Sequence, residues 1–141
     1  MKTIISDTDT LLFEEGLNTL YQESDRWMAE IDLWKFEVSF FQKLLDRHST
    51  SFDTIALKKE LDHFQHLITY YGGELLDEYR HQTREHMERV KDQLSSVSIT
   101  DEVELQIEHT KLKCSVDAFR KEFGSYKRSL FATLGGNLEL L

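Results

Sequence analysis

At 141 residues and a formal charge of −9, from 17 Lys and Arg against 26 Asp and Glu, the chain suits a single domain, 1–141, whose field repels phosphate and argues against a nucleic-acid partner. The lone Cys114 excludes an intramolecular disulfide framework and the soft-ligand zinc patterns. No run approaches the ~20 apolar residues that cross a bilayer, and Asp7 interrupts the N-terminus before a signal-type apolar core forms, so a soluble, cytoplasmic chain with no membrane partner is expected.

The first element reads as a helix over about 9–48. Phe13, Leu17, Leu20, Ser24, Trp27, Ile31, Trp34, Val38, Phe41, Leu45 and His48 recur in alternating steps of 4 and 3, the a/d seam of a helix packed lengthwise on others. Thr8 or Thr10 can cap its start, where Glu14 and Glu15 suit the positive end of the dipole; Arg47 and His48 suit the negative end. Ser49, Thr50 and Ser51 form a short polar link, any of which can cap the next helix with Asp53 in its first turn. So short a link makes the two helices antiparallel neighbours.

The second helix is expected over about 51–97. Leu57, Leu61, Phe64, Ile68, Tyr71 and Leu75 keep the rhythm, and then Tyr79, Thr83, His86, Val90, Leu94 and Val97 follow after a slip of phase. Equal steps of 4 between Tyr71 and Thr83 are a stutter, which locally unwinds a supercoil. Gly72-Gly73 lies at that point, and each glycine costs about 1 kcal/mol relative to alanine inside a helix. Counting back from the 48–51 turn puts Trp27 level with Gly72. A large ring seated against a missing side chain is therefore the preferred explanation of the pair, and a break in the helix is its rival.

The third helix is expected over about 100–134, capped by Ser98 or Thr100 and stopped by Gly135-Gly136-Asn137. Leu105, His109, Leu112, Val116, Phe119, Phe123, Tyr126, Leu130 and Thr133 carry its seam. With no proline anywhere, these are rods of about 50 to 70 Å at 1.5 Å per residue. The fold class predicted is all-α: a long antiparallel three-helix bundle, up-down-up, ending in a short C-terminal tail and open to completion as a larger bundle by dimerisation.

Some seam positions break the apolar rule. Pairing the second and third helices about the 97–100 turn brings His86 near the height of His109, with Thr83 on the same seam, and pairing the first two helices brings Glu14 and Glu15 to that level. Imidazoles and carboxylates from three helices can form a metal site; the stronger reading is a half-hydrated polar layer bonded to Thr83 or a glutamate, which fixes register. A second cluster places Glu37 at the height of His63, with Glu60 and His66 one turn away, and Glu60-Leu61-Asp62-His63 has the Glu-x-x-His spacing of di-iron bundles. Glu78-Tyr79-Arg80-His81 repeats that spacing by chance, and a ferritin-like site needs four ligand-bearing helices, so a dimer would be required. No phosphate loop, nucleophile elbow or His-Glu-x-x-His motif occurs, so catalysis is not expected and no cofactor is assigned. Lys111, Lys113, Arg120, Lys121, Lys127 and Arg128 read as the solvated face of the third helix.

The first helix also carries a second apolar stripe. Ala29, Leu33, Phe36, Phe40 and Leu44 lie at helical spacing on the face roughly opposite the seam, and a three-helix bundle buries only one face of each rod. Either Leu138-Glu139-Leu140-Leu141 and Ile4-Ile5 fold across it, or the same stripe of a second copy meets it about a two-fold axis. Self-association is favoured, because the tail is short and follows a glycine pair.

His63-Phe64-Gln65, Glu85-His86 and Trp34-Lys35-Phe36-Glu37 resemble a group of small, uncharacterised bacterial all-helical proteins, mainly over the first two helices. The resemblance implies a helical bundle and brings no activity with it. The function expected is non-enzymatic: homodimerisation or another protein contact through Leu33, Phe36, Phe40 and Leu44. The alternatives are a metal-binding bundle, with Glu37, Glu60, His63, His66, His86 or His109 as ligands, and an adaptor that takes an amphipathic peptide beside Phe36 and Phe40.

Overall fold

The computed structural model describes residues 7–95 and 102–135, with side chains from Glu14 onward in the first stretch. Among the described residues the chain is an antiparallel three-helix bundle, up-down-up, without strands. The first rod is α1 (Asp7–Arg47). The second is built from α2 (Ile55–Tyr70), a π-helical turn (Tyr71–Leu75) and α3 (Leu76–Ser95) in unbroken succession. The third is α4 (Glu102–Gly135). None of the described helices is long and apolar enough to cross a membrane. The caps expected at Thr8, Thr10, Ser98 and Thr100, the stop at Gly136-Asn137, and the segments Ile4-Ile5 and Leu138–Leu141 lie outside the described side chains.

The first link is longer than the serine-threonine run suggests. Ser49–Ser51 form a 3₁₀ turn, the chain then runs through buried Phe52, and Thr54, not one of those hydroxyls, caps α2 by accepting the Leu57 N–H at 3.1 Å. The longer link and the extra residue that a π turn inserts both shift the second rod along the first. Arg80 donates to Asp32 at 2.8 Å and Lys35 pairs with Asp77, so partners sit about three turns beyond the positions obtained by counting back from the 48–51 turn.

That shift corrects the reading of the glycine pair. Val38, not Trp27, faces Gly72: a Cβ added there would lie 2.7 Å from Val38 Cγ1, whereas one added to Gly73 meets nothing within 4 Å. The helix is not broken either. The π turn absorbs the stutter, so the buried series runs Ile68, Tyr71, Leu76, with Leu76 taking the core position expected of Leu75. On α4, Leu134 likewise takes the place of Thr133 at the end of the seam. Gly73→Ala should stabilise the fold by up to about 1 kcal/mol. Gly72→Ala should cost about 1–3 kcal/mol, because the Val38 side chain it would meet is buried and, being β-branched, stiff at χ1. Urea denaturation of the two variants checks the contrast, and Val38→Ala should recover part of the Gly72→Ala loss.

The interior falls into two parts. The larger runs from Trp27 and Ile31 of α1 through Tyr71 to Phe119, Phe123 and Leu130 of α4, largely as aromatic rings in edge-to-face contact. The smaller comprises Leu17, Leu20, Val90 and Leu105. Lys111, Lys113, Lys121 and Arg128 lie on the exposed face of α4 as expected, while two other basic residues edge the seam with α1: Arg120 donates to both carboxylate oxygens of Glu30, at 2.8 and 2.6 Å, and Lys127 to Glu37 at 3.0 Å.

Candidate functional site

Between the two apolar parts lies the polar layer expected at His86, buried where a half-hydrated layer was expected and bonded to a glutamate, not to Thr83. Ser24, Thr83, His86 and His109 are all buried there. The hydroxyls turn back on their own helices, Ser24 donating to the Leu20 carbonyl and Thr83 to the Tyr79 carbonyl, both at 2.7 Å. The histidines meet directly: His86 Nε2 and His109 Nδ1 are 2.9 Å apart, and Trp27 stacks on the His109 ring at 4.5 Å between centroids. Glutamates bound the pair on both sides, but they are Glu108 and Glu23, not Glu14 or Glu15, because of the shifted register of the second rod.

Protonation of this layer follows from its outermost member. Burial alone would raise the Glu108 carboxyl, but hydrogen bonds from Arg89 (2.6 and 3.1 Å) and His86, with their charges, outweigh it and hold Glu108 below the usual carboxylate range. An ionised Glu108 assigns the proton to His86 Nδ1, which donates to it at 2.5 Å. His86 Nε2 then accepts from His109 Nδ1, and His109 Nε2 is left with its lone pair buried, 3.7 Å from Glu23 and without a hydrogen bond. Burial pushes both rings below the ordinary histidine value, against the pull of the neighbouring glutamates. For His109 the charge of His86 and of Lys113 pushes the same way.

These histidines bond to each other through the nitrogens a shared metal would need. Among the described residues no group of three or more His, Cys, Asp and Glu is placed to hold a metal ion. The second predicted cluster does not assemble. Glu37 points to Lys127 of α4, while His63 and His66 are exposed on α2, about two to three turns from its height. Glu60 accepts from Thr133 at 3.3 Å and lines, with His63, a groove of about 630 Å³ between α2 and α4 that is floored by Phe64, Tyr71 and Tyr126. Tyr126 fixes that floor by donating to the Phe64 carbonyl at 2.9 Å.

The outer face of α1 is the other feature. Leu33, Phe36 and Phe40 are 57%, 72% and 54% exposed, Ala29 is exposed beside them and Leu44 is half-buried. Sequence reasoning did not find Phe131 of α4, 52% exposed and in edge contact with Phe41, which also touches Phe40. Its spacing from Phe123 and Tyr126 looks like a surface position on an isolated helix; only the α1–α4 packing sets it against the stripe. The result is an aromatic surface shared by α1 and α4.

With this geometry in view, no protein-family model matches the chain, and no curated protein or solved structure matches it.

Proposed function

We propose that the protein works by self-association, as a homodimer joined through the outer face of α1. The observation that carries this reading is the exposure of Leu33, Phe36 and Phe40 together on one helix face, continued by Phe131. Contiguous exposed aromatics of this kind mark interaction surfaces in soluble proteins. The exposed, unpaired Cys114 suits a reducing compartment, so we place the dimer in the cytoplasm. The test is sedimentation equilibrium. Wild type should show twice the protomer mass, and Phe36→Asp with Phe40→Asp should yield a folded monomer with an unchanged far-ultraviolet circular dichroism spectrum, because both side chains are more than half exposed and only Phe40 touches the core, at the edge of Phe41. A wild type that remains monomeric at tens of micromolar overturns the proposal.

A further inference from the structure

We infer that the outer face of α1 pairs with the same face of a second copy in antiparallel, about a two-fold axis that passes between residues 34 and 35. This rests on the self-association just proposed and adds its partner, direction and register.

Four of the five stripe residues pair off about that point, and Leu44 falls level with residue 25 of the other copy. Leu33 and Phe36 lie equally far on either side of it, each about 2 Å along the axis, and Ala29 and Phe40 each about 8 Å. Antiparallel pairing therefore sets Ala29 of one copy opposite Phe40 of the other, the smallest side chain of the stripe against a phenyl ring, and Leu33 opposite Phe36. A small residue facing a large one lets two helices close without a void. Parallel pairing would set Phe40 against Phe40 and Ala29 against Ala29, crowding one level and emptying the other.

The charges that flank the stripe give the same direction. Asp25 and Lys43 are both exposed and have no ion pair among those the described residues form within the bundle. Eighteen residues separate them, five whole turns at about 3.6 residues per turn, so they share one edge of the α1 face. In an antiparallel pair like edges lie side by side, and Asp25 of each copy then stands within about one residue's rise of Lys43 of the other, twice by symmetry. Parallel pairing would put like edges on opposite sides of the interface, so that Asp25 and Lys43 would each lack a partner of opposite charge from the other's edge.

The full chain carrying Cys114→Ser tests this, with Asp25→Cys and Lys43→Cys introduced together and a short bismaleimide as cross-linker. The double variant should convert almost completely to covalent dimer, and peptide mapping should show links between positions 25 and 43. The two sites lie about 27 Å apart within one copy, beyond the reach of the reagent. Either cysteine alone should give little product, since its own symmetry mate is at a similar distance. In unlinked protein, Asp25→Lys and Lys43→Asp should each weaken dimerisation several-fold, and the two together should restore it. Efficient self-linking of Asp25→Cys alone, or a failure of the swapped pair to recover, overturns the antiparallel register while leaving a dimer seen by sedimentation intact. A wild type that sediments as monomer in the same buffer overturns both.

Discussion

Acidification from about pH 7.5 to about pH 5.5 is expected to lower the unfolding free energy of the bundle, and the loss originates in the layer that divides its core. His86 and His109 are buried and held below the ordinary histidine value of 6.5 by that burial. In the unfolded chain both rings regain that value, so below pH 6.5 the unfolded state binds more protons than the folded one. Stability must then fall as the pH falls, beginning near 6.5 and continuing until the folded pair itself takes up a proton. Each pH unit by which a ring is held down contributes about 1.4 kcal/mol to the loss once it is protonated. A second step in the same direction follows at lower pH. Glu108 is held below its usual 4.5, and the stability its ion pair contributes disappears as the carboxylate is neutralised.

The layer also determines which part yields first. It separates Leu17, Leu20, Val90 and Leu105 from the main aromatic core, so the smaller cluster depends on an interface that charging disrupts. Amide protection factors, which are corrected for the pH dependence of the intrinsic rate, should fall around residues 17–24 and 86–93 on acidification before those around Phe119 and Phe123 do. Replacing both histidines by leucine should flatten the curve between pH 7.5 and about 5.5, since the titrating pair is then gone. Chemical denaturation across that range decides the matter, and a wild-type curve that is flat there would contradict the reading of the layer.

Much of this organisation is legible in the chain because a seam repeats. The alternating steps of 4 and 3 report burial residue by residue, so Trp27, Ile31, Trp34, Val38 and Phe41 were readable as core and Leu33, Phe36 and Phe40 as something else. His86 and His109 could be matched in height because few residues separate α3 from α4 in the sequence. The match across the first link fails for the converse reason: a hydroxyl-rich run fits a tight turn and a 3₁₀ turn equally well, and Phe52 is recognisable as core only once the bundle end exists to receive it. Every height estimate between α1 and the second rod carries that shift as part of its error. It contributes to the mismatch of Glu37 with His63, of Trp27 with Gly72, and of Glu14 or Glu15 with the place that Glu23 holds.

Leu76→Ala is expected to cost about 2–5 kcal/mol, and Leu75→Ala only roughly 1 kcal/mol. An uninterrupted α-helix reverses that order, because equal steps of 4 from Tyr71 place Leu75 on the seam and Leu76 beside it. The π turn over Tyr71–Leu75 inserts one residue, so the step from Tyr71 becomes five and Leu76 enters the core with none of its surface exposed, while Leu75 is left half-buried. Two contacts fix the bulge at this level. The backbone of Gly72 lies against Val38, and the Tyr71 ring is clamped edge-on by Phe119 at 5.2 Å and Tyr126 at 5.6 Å. Sliding back to a regular helix would turn Tyr71 or Leu76 out of that packing, a loss larger than the hydrogen-bond strain of one wide turn. Equilibrium unfolding of the two alanine variants measures the phase of the second rod directly, and a Leu75→Ala loss equal to or above that of Leu76→Ala would show that the helix runs through the glycine pair without the extra residue.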